Sequence, residues 1–220
     1  MDKSIKLLKE HCIFTNPEDC YVLFAIARRK NNLYLTNSQE VVFRQVIKNN
    51  ENIERKYNKL ISQCNDYQYT DGKTDIKRKL NFYVYVSVNS RNALKAYIEL
   101  QKRFNQYVFE LLKNNDNYHL FKRLDSIWLS DLMKPNCKSS KRFLLDIDTK
   151  EQEKIDKISG LLDKVTLTIK CYKNETKNGF HYIMDPFDKQ KFHNLLTENN
   201  LKDICEVKTD GLFFVENLGE

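Results

Sequence analysis

The chain has no Cys-x-x-Cys pair, no apolar run approaching the ~18 residues of a membrane span, no internal repeat and no extended low-complexity tail. Its six cysteines, Cys12, Cys20, Cys64, Cys137, Cys171 and Cys205, are scattered, which argues against a zinc site. With no signal peptide they read as reduced thiols of a cytosolic protein, in host-cell cytoplasm if the source is viral, and no membrane partner is expected. What is present is ample apolar material: 220 residues, 41% hydrophobic, with 13 Phe, enough for one or two cores and best read as two joined modules. The net charge of +7 is unevenly placed. Residues 1–142 carry 26 Lys+Arg against 15 Asp+Glu, whereas 143–220 carry 11 against 15. A basic half suits a phosphate backbone and an acidic half suits a metal.

The most informative run is Lys141-Arg142-Phe143-Leu144-Leu145-Asp146-Ile147-Asp148-Thr149-Lys150. On a strand, residues i and i+2 share a face, so Asp146 and Asp148 point one way while Phe143, Leu145 and Ile147 point the other. Two carboxylates roughly 6.6 Å apart at an effective dielectric of about 20 repel by on the order of 2 to 3 kcal/mol. A hard cation, Mg²⁺ or Mn²⁺, is the natural reason to keep both.

After that strand, 142–148, the pattern predicts a helix over 150–163, a strand alternating through Val165, Leu167 and Ile169, and a polar turn leading to a strand over Phe180–Met184. A helix capped by Asp188 follows, then a strand near 204–208, an Asp210-Gly211 turn and a last strand over Leu212–Glu216. This is the ferredoxin/RRM-like βαββαβ order with an added strand, giving an α+β chain in which residues 142–220 pack on an N-terminal α/β module, 1–141. Such a sheet sets its first and third strands side by side, with the fourth against the first. His181 is therefore expected beside Asp146 and Asp148, with Asp210 arriving from the neighbouring strand's end.

Three short motifs, Leu-Leu-Asp-Ile-Asp at 144–148, Asn-Gly-Phe-His at 178–181 and Val-Lys-Thr-Asp-Gly at 207–211, resemble the catalytic core of the archaeo-eukaryotic primase superfamily, which includes small viral and plasmid primase-polymerases. The resemblance covers about the last 80 residues. It implies a template-directed nucleotidyltransferase using two divalent metals and nucleoside triphosphates on a DNA or RNA template, with a helicase as a candidate partner. It makes Asp146, Asp148 and Asp210 the catalytic metal ligands and His181 the phosphate contact, with Gly179 and Lys177 beside it in nucleotide binding. The small hydroxyl residue common two before that histidine is Gly179 here, and no zinc-binding stem is visible. The chemistry is coherent without the name, because acidic ligands and cations can clamp an in-line phosphoryl displacement.

The N-terminal half delivers Arg28, Arg29 and Lys30 at the end of the apolar run 21–27. Arg91 follows the strand 82–88 and an expected Ser90 N-cap for a helix to about 113. These four cations are the candidate nucleic-acid contacts. A helix is expected over 38–64, a loop over 65–80, a short amphipathic helix around Trp128, and a joint at 134–141. Two other readings compete. Lys208-Thr209-Asp210-Gly211 has the form of a nucleotide-ligase motif, but too little chain follows it. A non-catalytic RRM-like binder would use exposed aromatics such as Phe180 and Tyr182 to stack bases.

Overall fold

A computed structural model describes residues 3–35, 39–49, 51–70, 76–166 and 172–219. Helix α1 (Lys3–His11) leads into β1 (Asp19–Arg28), whose first nine residues are all buried. Its alternate side chains feed two separate cores. Tyr21, Leu23, Ala25 and Ala27 enter one, and Cys20, Val22, Phe24 and Ile26 the other. A strand apolar on both faces must be central. It pairs antiparallel with β2 (Glu40–Lys48) along nine residues, from Cys20↔Lys48 to Arg28↔Glu40.

That pairing corrects the expected helix over 38–64. The segment splits into β2 and helix α2 (Ile53–Asp66), with Asn52 accepting from the Arg55 amide as the N-cap. Val41, Val42 and Phe43 satisfy a helical stripe or a strand equally well, and the long ladder with β1 decides for the strand. Within the expected loop, β3 (Tyr69–Thr70) and β4 (Lys77–Arg78) pair, while 71–75 lie outside the described residues. Next come β5 (Tyr83–Ser87) and β6 (Arg91–Asn92), both antiparallel to β1, and then helix α3 (Ala93–Lys113). Its N-cap is Asn92, accepting from the Lys95 amide, rather than Ser90, because β6 keeps the chain extended to that point. A 3-10 segment, Asn115–Arg123, precedes α4 (Leu124–Leu132), and Trp128 packs into the core under these helices.

The joint at 134–141 is well packed. Cys137 is buried, the Ser139 amide donates to the Ser90 carbonyl, and its hydroxyl donates to Asp19. Asn89 fastens the next element, accepting from the Arg142 amide and donating to the Arg142 and Thr209 carbonyls.

The second half runs β7 (Phe143–Ile147), α5 (Gln152–Leu162), β8 (Tyr172–Glu175), β9 (Phe180–Met184), α6 (Lys189–Glu198), β10 (Cys205–Lys208) and β11 (Leu212–Asn217). Asp188 caps α6 through the Lys191 amide, as its position predicts. The strand expected at 165–170 falls largely on 167–171, outside the described residues, and β8 begins at Tyr172. The four-stranded sheet has the order β10-β7-β9-β8, antiparallel throughout. Leu145, Ile147, Met184 and Val207 on one face form a core with Ile158, Leu161, Phe192 and Leu196 of α5 and α6.

The last strand is not an addition to that sheet. It crosses back to pair with β5, giving the first sheet the order β11-β5-β1-β2. Ser87↔Leu212 starts the ladder, and Phe213 and Val215 enter the first core, so apolar burial fixes the choice of partner. The chain is thus α+β with antiparallel sheets. Among the described residues no helix is long and apolar enough to cross a membrane. Cys12, Cys20, Cys64, Cys137 and Cys205 are buried free thiols; Cys171 lies outside the described residues.

Candidate functional site

With α5 and α6 covering one face of the second sheet, the other face turns toward the first. Leu144 and Ile183 are buried in the first sheet's core and hold the two together. One step further along each strand the residues become polar. Asp146 and His181 are direct partners in the β7/β9 ladder, and Asp148 follows two residues on. The change from apolar to polar opens a cleft of about 460 Å³ between the sheets. Asp146, Asp148, His181 and Lys208 line one wall, with the turn Thr176–Asn178. Tyr83, Tyr85, Leu212 and Phe214 line the other, and Arg28, Lys30 and Asn31 complete the cleft. Four cations therefore face two carboxylates.

Asp146 is the most heavily engaged group. Lys208 Nζ lies 2.7 Å from one carboxylate oxygen and His181 Nε2 lies 3.2 Å from the other. Burial raises its pKa, but the hydrogen bonds and charges of His181 and Lys208 outweigh burial and hold it at about 2. Lys208 also reaches Glu206, at 3.2 Å, and its own pKa is raised: burial opposes the charge, but Asp146 and Glu206 more than compensate. His181 is fixed from behind as well. Its Nδ1 accepts from the Phe214 amide at 3.1 Å, so the neutral ring carries its proton on Nε2, aimed at Asp146.

That contact depends on an irregularity in β11. The register with β5 slips between Phe214 and Glu216, a bulge at Val215. Bulges release backbone groups from the ladder, and here side chains of the second sheet take them up. His181 receives the Phe214 amide, and Asn174 of β8 donates to the Phe214 and Val215 carbonyls, at 2.9 and 2.8 Å.

Asp148 is exposed, and among the described residues its carboxylate has no hydrogen bond or ion pair; its backbone amide donates to the Ile204 carbonyl. Asp210 is not brought to this pair. It binds Arg91 at 2.7 Å, with the Asn89 amide group at 3.4 Å, and lines an adjacent cavity of about 510 Å³ with Phe24, Arg44 and Met133. The reason is that the crossover to β11 carries the Asp210-Gly211 turn toward β6 instead of along the β7 edge. Arg91 is likewise not a surface cation: its side chain is 0% exposed. Among the described residues no group of three or more His, Cys, Asp or Glu side chains is placed to hold a metal ion.

Arg28 and Lys30 line the cleft, Arg28 also pairing with Glu40 at 3.0 Å, whereas Arg29 is exposed outside it. Lys177 lines the cleft as well. Gly179 has a packing reason of its own. A Cβ there would overlap the Ile147 carbonyl and lie 2.8 Å from the Thr149 amide nitrogen, so only glycine lets the 176–179 turn rest against the end of β7. Sequence reasoning missed Lys208 as a partner of Asp146, and Tyr83, Tyr85 and Phe214 as the opposing wall. The signal for Lys208 was available, since 206 and 208 share the face of a strand predicted beside Asp146.

The chain matches no protein-family model, no curated protein and no solved structure, so the functional reading rests on its own geometry.

Proposed function

We propose that the cleft is the nucleotide-binding centre of a template-directed nucleotidyltransferase of the primase-polymerase type. Its catalytic unit would be the ferredoxin/RRM-like run β7–α5–β8–β9–α6–β10, whose helix-free face meets the N-terminal sheet. The observation that carries the reading is the cleft itself: Asp146, Asp148 and His181 on one wall, four cations around them, and a volume within the range of small-molecule sites.

The fit to a divalent metal is good for two of the three expected ligands. Asp146 and Asp148 offer hard carboxylate oxygens in one cleft, and Asp146 stays ionised well into acid. Asp210 does not fit, being committed to Arg91. Asp146 and Asp148 would hold the ion, which supplies stabilisation of charge developing on the phosphates. The chain's own groups do the rest. Arg28, Lys30, Lys177 and Lys208 are cations suited to a triphosphate and a template backbone. Tyr83, Tyr85 and Phe214 give an aromatic wall for a base or sugar. His181, braced on the β11 backbone, keeps Asp146 oriented and has an N–H for an acceptor when Lys208 swings to phosphate.

A second reading, an inactive relative that binds nucleotide or single strand without metal, is favoured by one feature: Lys208 already compensates the charge of Asp146, to which His181 also hydrogen-bonds. Stacking by Phe180 and Tyr182 does not support it. Both lie on the α5/α6 side of the sheet, where Tyr182 packs into the helical core and Lys173 covers Phe180 at 4.1 Å. Calorimetric titration with a nucleoside triphosphate, with and without Mg²⁺, separates the two. Affinity that rises with Mg²⁺ in the wild type but not in Asp148→Asn supports the enzyme reading. Metal-indifferent binding supports the binder, and no binding to either form removes both.

A further inference from the structure

The ammonium beside Asp146 holds an oxygen that a metal ion would need. Asp146 and Glu206 are direct partners across the β7/β10 ladder, and carboxylates set opposite each other on one sheet face repel. Lys208 relieves that repulsion: its Nζ lies 2.7 Å from Asp146 Oδ2 and 3.2 Å from Glu206 Oε2, one ammonium between carboxylates of adjacent strands. His181 Nε2 takes the other Asp146 oxygen, at 3.2 Å. Both Asp146 oxygens are therefore engaged, while the Asp148 carboxylate, two residues on, has no partner among the described residues. A divalent ion sits roughly 2.0 to 2.6 Å from its carboxylate oxygens. On Asp146 Oδ2 it would lie against the ammonium, and the two cations exclude each other from that place.

Lys208 has a second place to go. Its side chain is partly exposed and lines the cleft, and an ammonium on a flexible four-carbon stem changes partner by rotamer alone. Lys30 and Lys177 line the same cleft and make no ion pair among the described residues, so a triphosphate drawn to them is held in the space that Lys208 also borders. We infer that Lys208 is a relay between nucleotide and metal: it holds Asp146 and Glu206 while no nucleotide is bound, and passes to the triphosphate when one enters, baring Asp146 for the divalent ion. This rests on the nucleotide-binding reading of the cleft and adds to it the coupling of the two ligands. Lys208 thereby suppresses metal binding to the nucleotide-free protein and strengthens triphosphate binding even without metal. The two effects have opposite signs. A permanent counter-ion of Asp146 would leave triphosphate affinity alone.

Two separate titrations of the full chain test this: Mn²⁺ alone, followed by electron paramagnetic resonance of the free ion, and ATP in excess EDTA, followed by calorimetry. Wild type is compared with Lys208→Met and with Lys208→Gln, which keeps a hydrogen-bond donor for Asp146, so the inference does not depend on one variant folding; circular dichroism checks both. The expected result is Mn²⁺ bound at least ~10-fold more tightly, and metal-free ATP at least ~10-fold more weakly, in both variants. Lys177→Met, in the cleft but not paired with Asp146, should weaken ATP and leave Mn²⁺ binding as in the wild type. If it tightens Mn²⁺ as much as the Lys208 variants do, the effect is one of general charge and the relay is overturned. A wild type that binds Mn²⁺ alone as tightly as the Lys208 variants overturns it, as does metal-free ATP affinity that is absent from the wild type or unaltered in those variants. The nucleotide-binding reading survives each of these results if Mg²⁺ strengthens ATP binding to the wild type. No ATP binding by the wild type, with or without Mg²⁺, overturns the reading and the relay together.

Discussion

Replacing Lys208 by methionine removes the cation that shares Asp146 while keeping an apolar stem of similar length. In the folded protein Asp146 titrates at about 2 instead of the ordinary 3.8. At 1.36 kcal/mol per pKa unit, that depression corresponds to on the order of 2 kcal/mol of stability. His181 and Lys208 both contribute, so losing Lys208 alone should cost about 1 kcal/mol at neutral pH. Because the folded value lies below the unfolded one, the contribution is fully present above pH ~4 and disappears as the pH falls toward ~2. Lys208 has the opposite sign. Its raised pKa stabilises below its ordinary 10.5 and is lost only as the pH climbs through the raised value. Urea unfolding of wild type and Lys208→Met, measured from about pH 2.5 to 8, should show the two converging in acid and separating above pH ~4. Parallel curves would mean that the Lys208–Asp146 contact carries no net energy, and the electrostatic account of the cleft would be wrong.

Asp210→Asn should lower stability by about 3 kcal/mol, because it leaves the fully buried Arg91 unpaired, while the metal dependence of nucleotide binding stays as in the wild type; denaturant titration and calorimetry check the two halves. Neutralising Arg28 and Lys30 together should weaken single-strand binding and flatten its dependence on salt by about two phosphate contacts, and Arg29→Ala should leave the slope unchanged. Gly179→Ala should cost at least about 2 kcal/mol through overlap with the Ile147 carbonyl, measurable as a fall in the urea midpoint.

What was legible in the sequence was what local periodicity controls. The alternation around Asp146 and Asp148 predicted which side chains share a face, and the run 143–147 shows that pattern, with Leu145 and Ile147 under the helices and Asp146 in the cleft. The neighbouring of Asp146 and His181 followed from element order and appears in the ladder. What failed depends on long-range pairing. β2 was hidden because Val41, Val42 and Phe43 suit a helical stripe as well as a strand until β1 lies beside them. β11 has an ordinary strand pattern that says nothing of which sheet it joins, and with it went the position of Asp210. Arg91 read as a cation available to nucleic acid because its partner, Asp210, lies 119 residues away in the chain. The close approach of Gly179 to the backbone at the end of β7 was likewise invisible in its motif.

The most direct test of the central claim is nucleotide incorporation on a primed and an unprimed template with Mg²⁺ or Mn²⁺, comparing wild type with Asp148→Asn. Asp148 is the cleaner position, since among the described residues its exposed carboxylate makes no hydrogen bond or ion pair whose loss would unfold the protein. The account predicts metal-dependent extension by the wild type and a loss of at least about two orders of magnitude in the variant, with unchanged melting. Equal incorporation by both proteins, or none by a folded wild type that binds nucleotide equally well without metal, would contradict it.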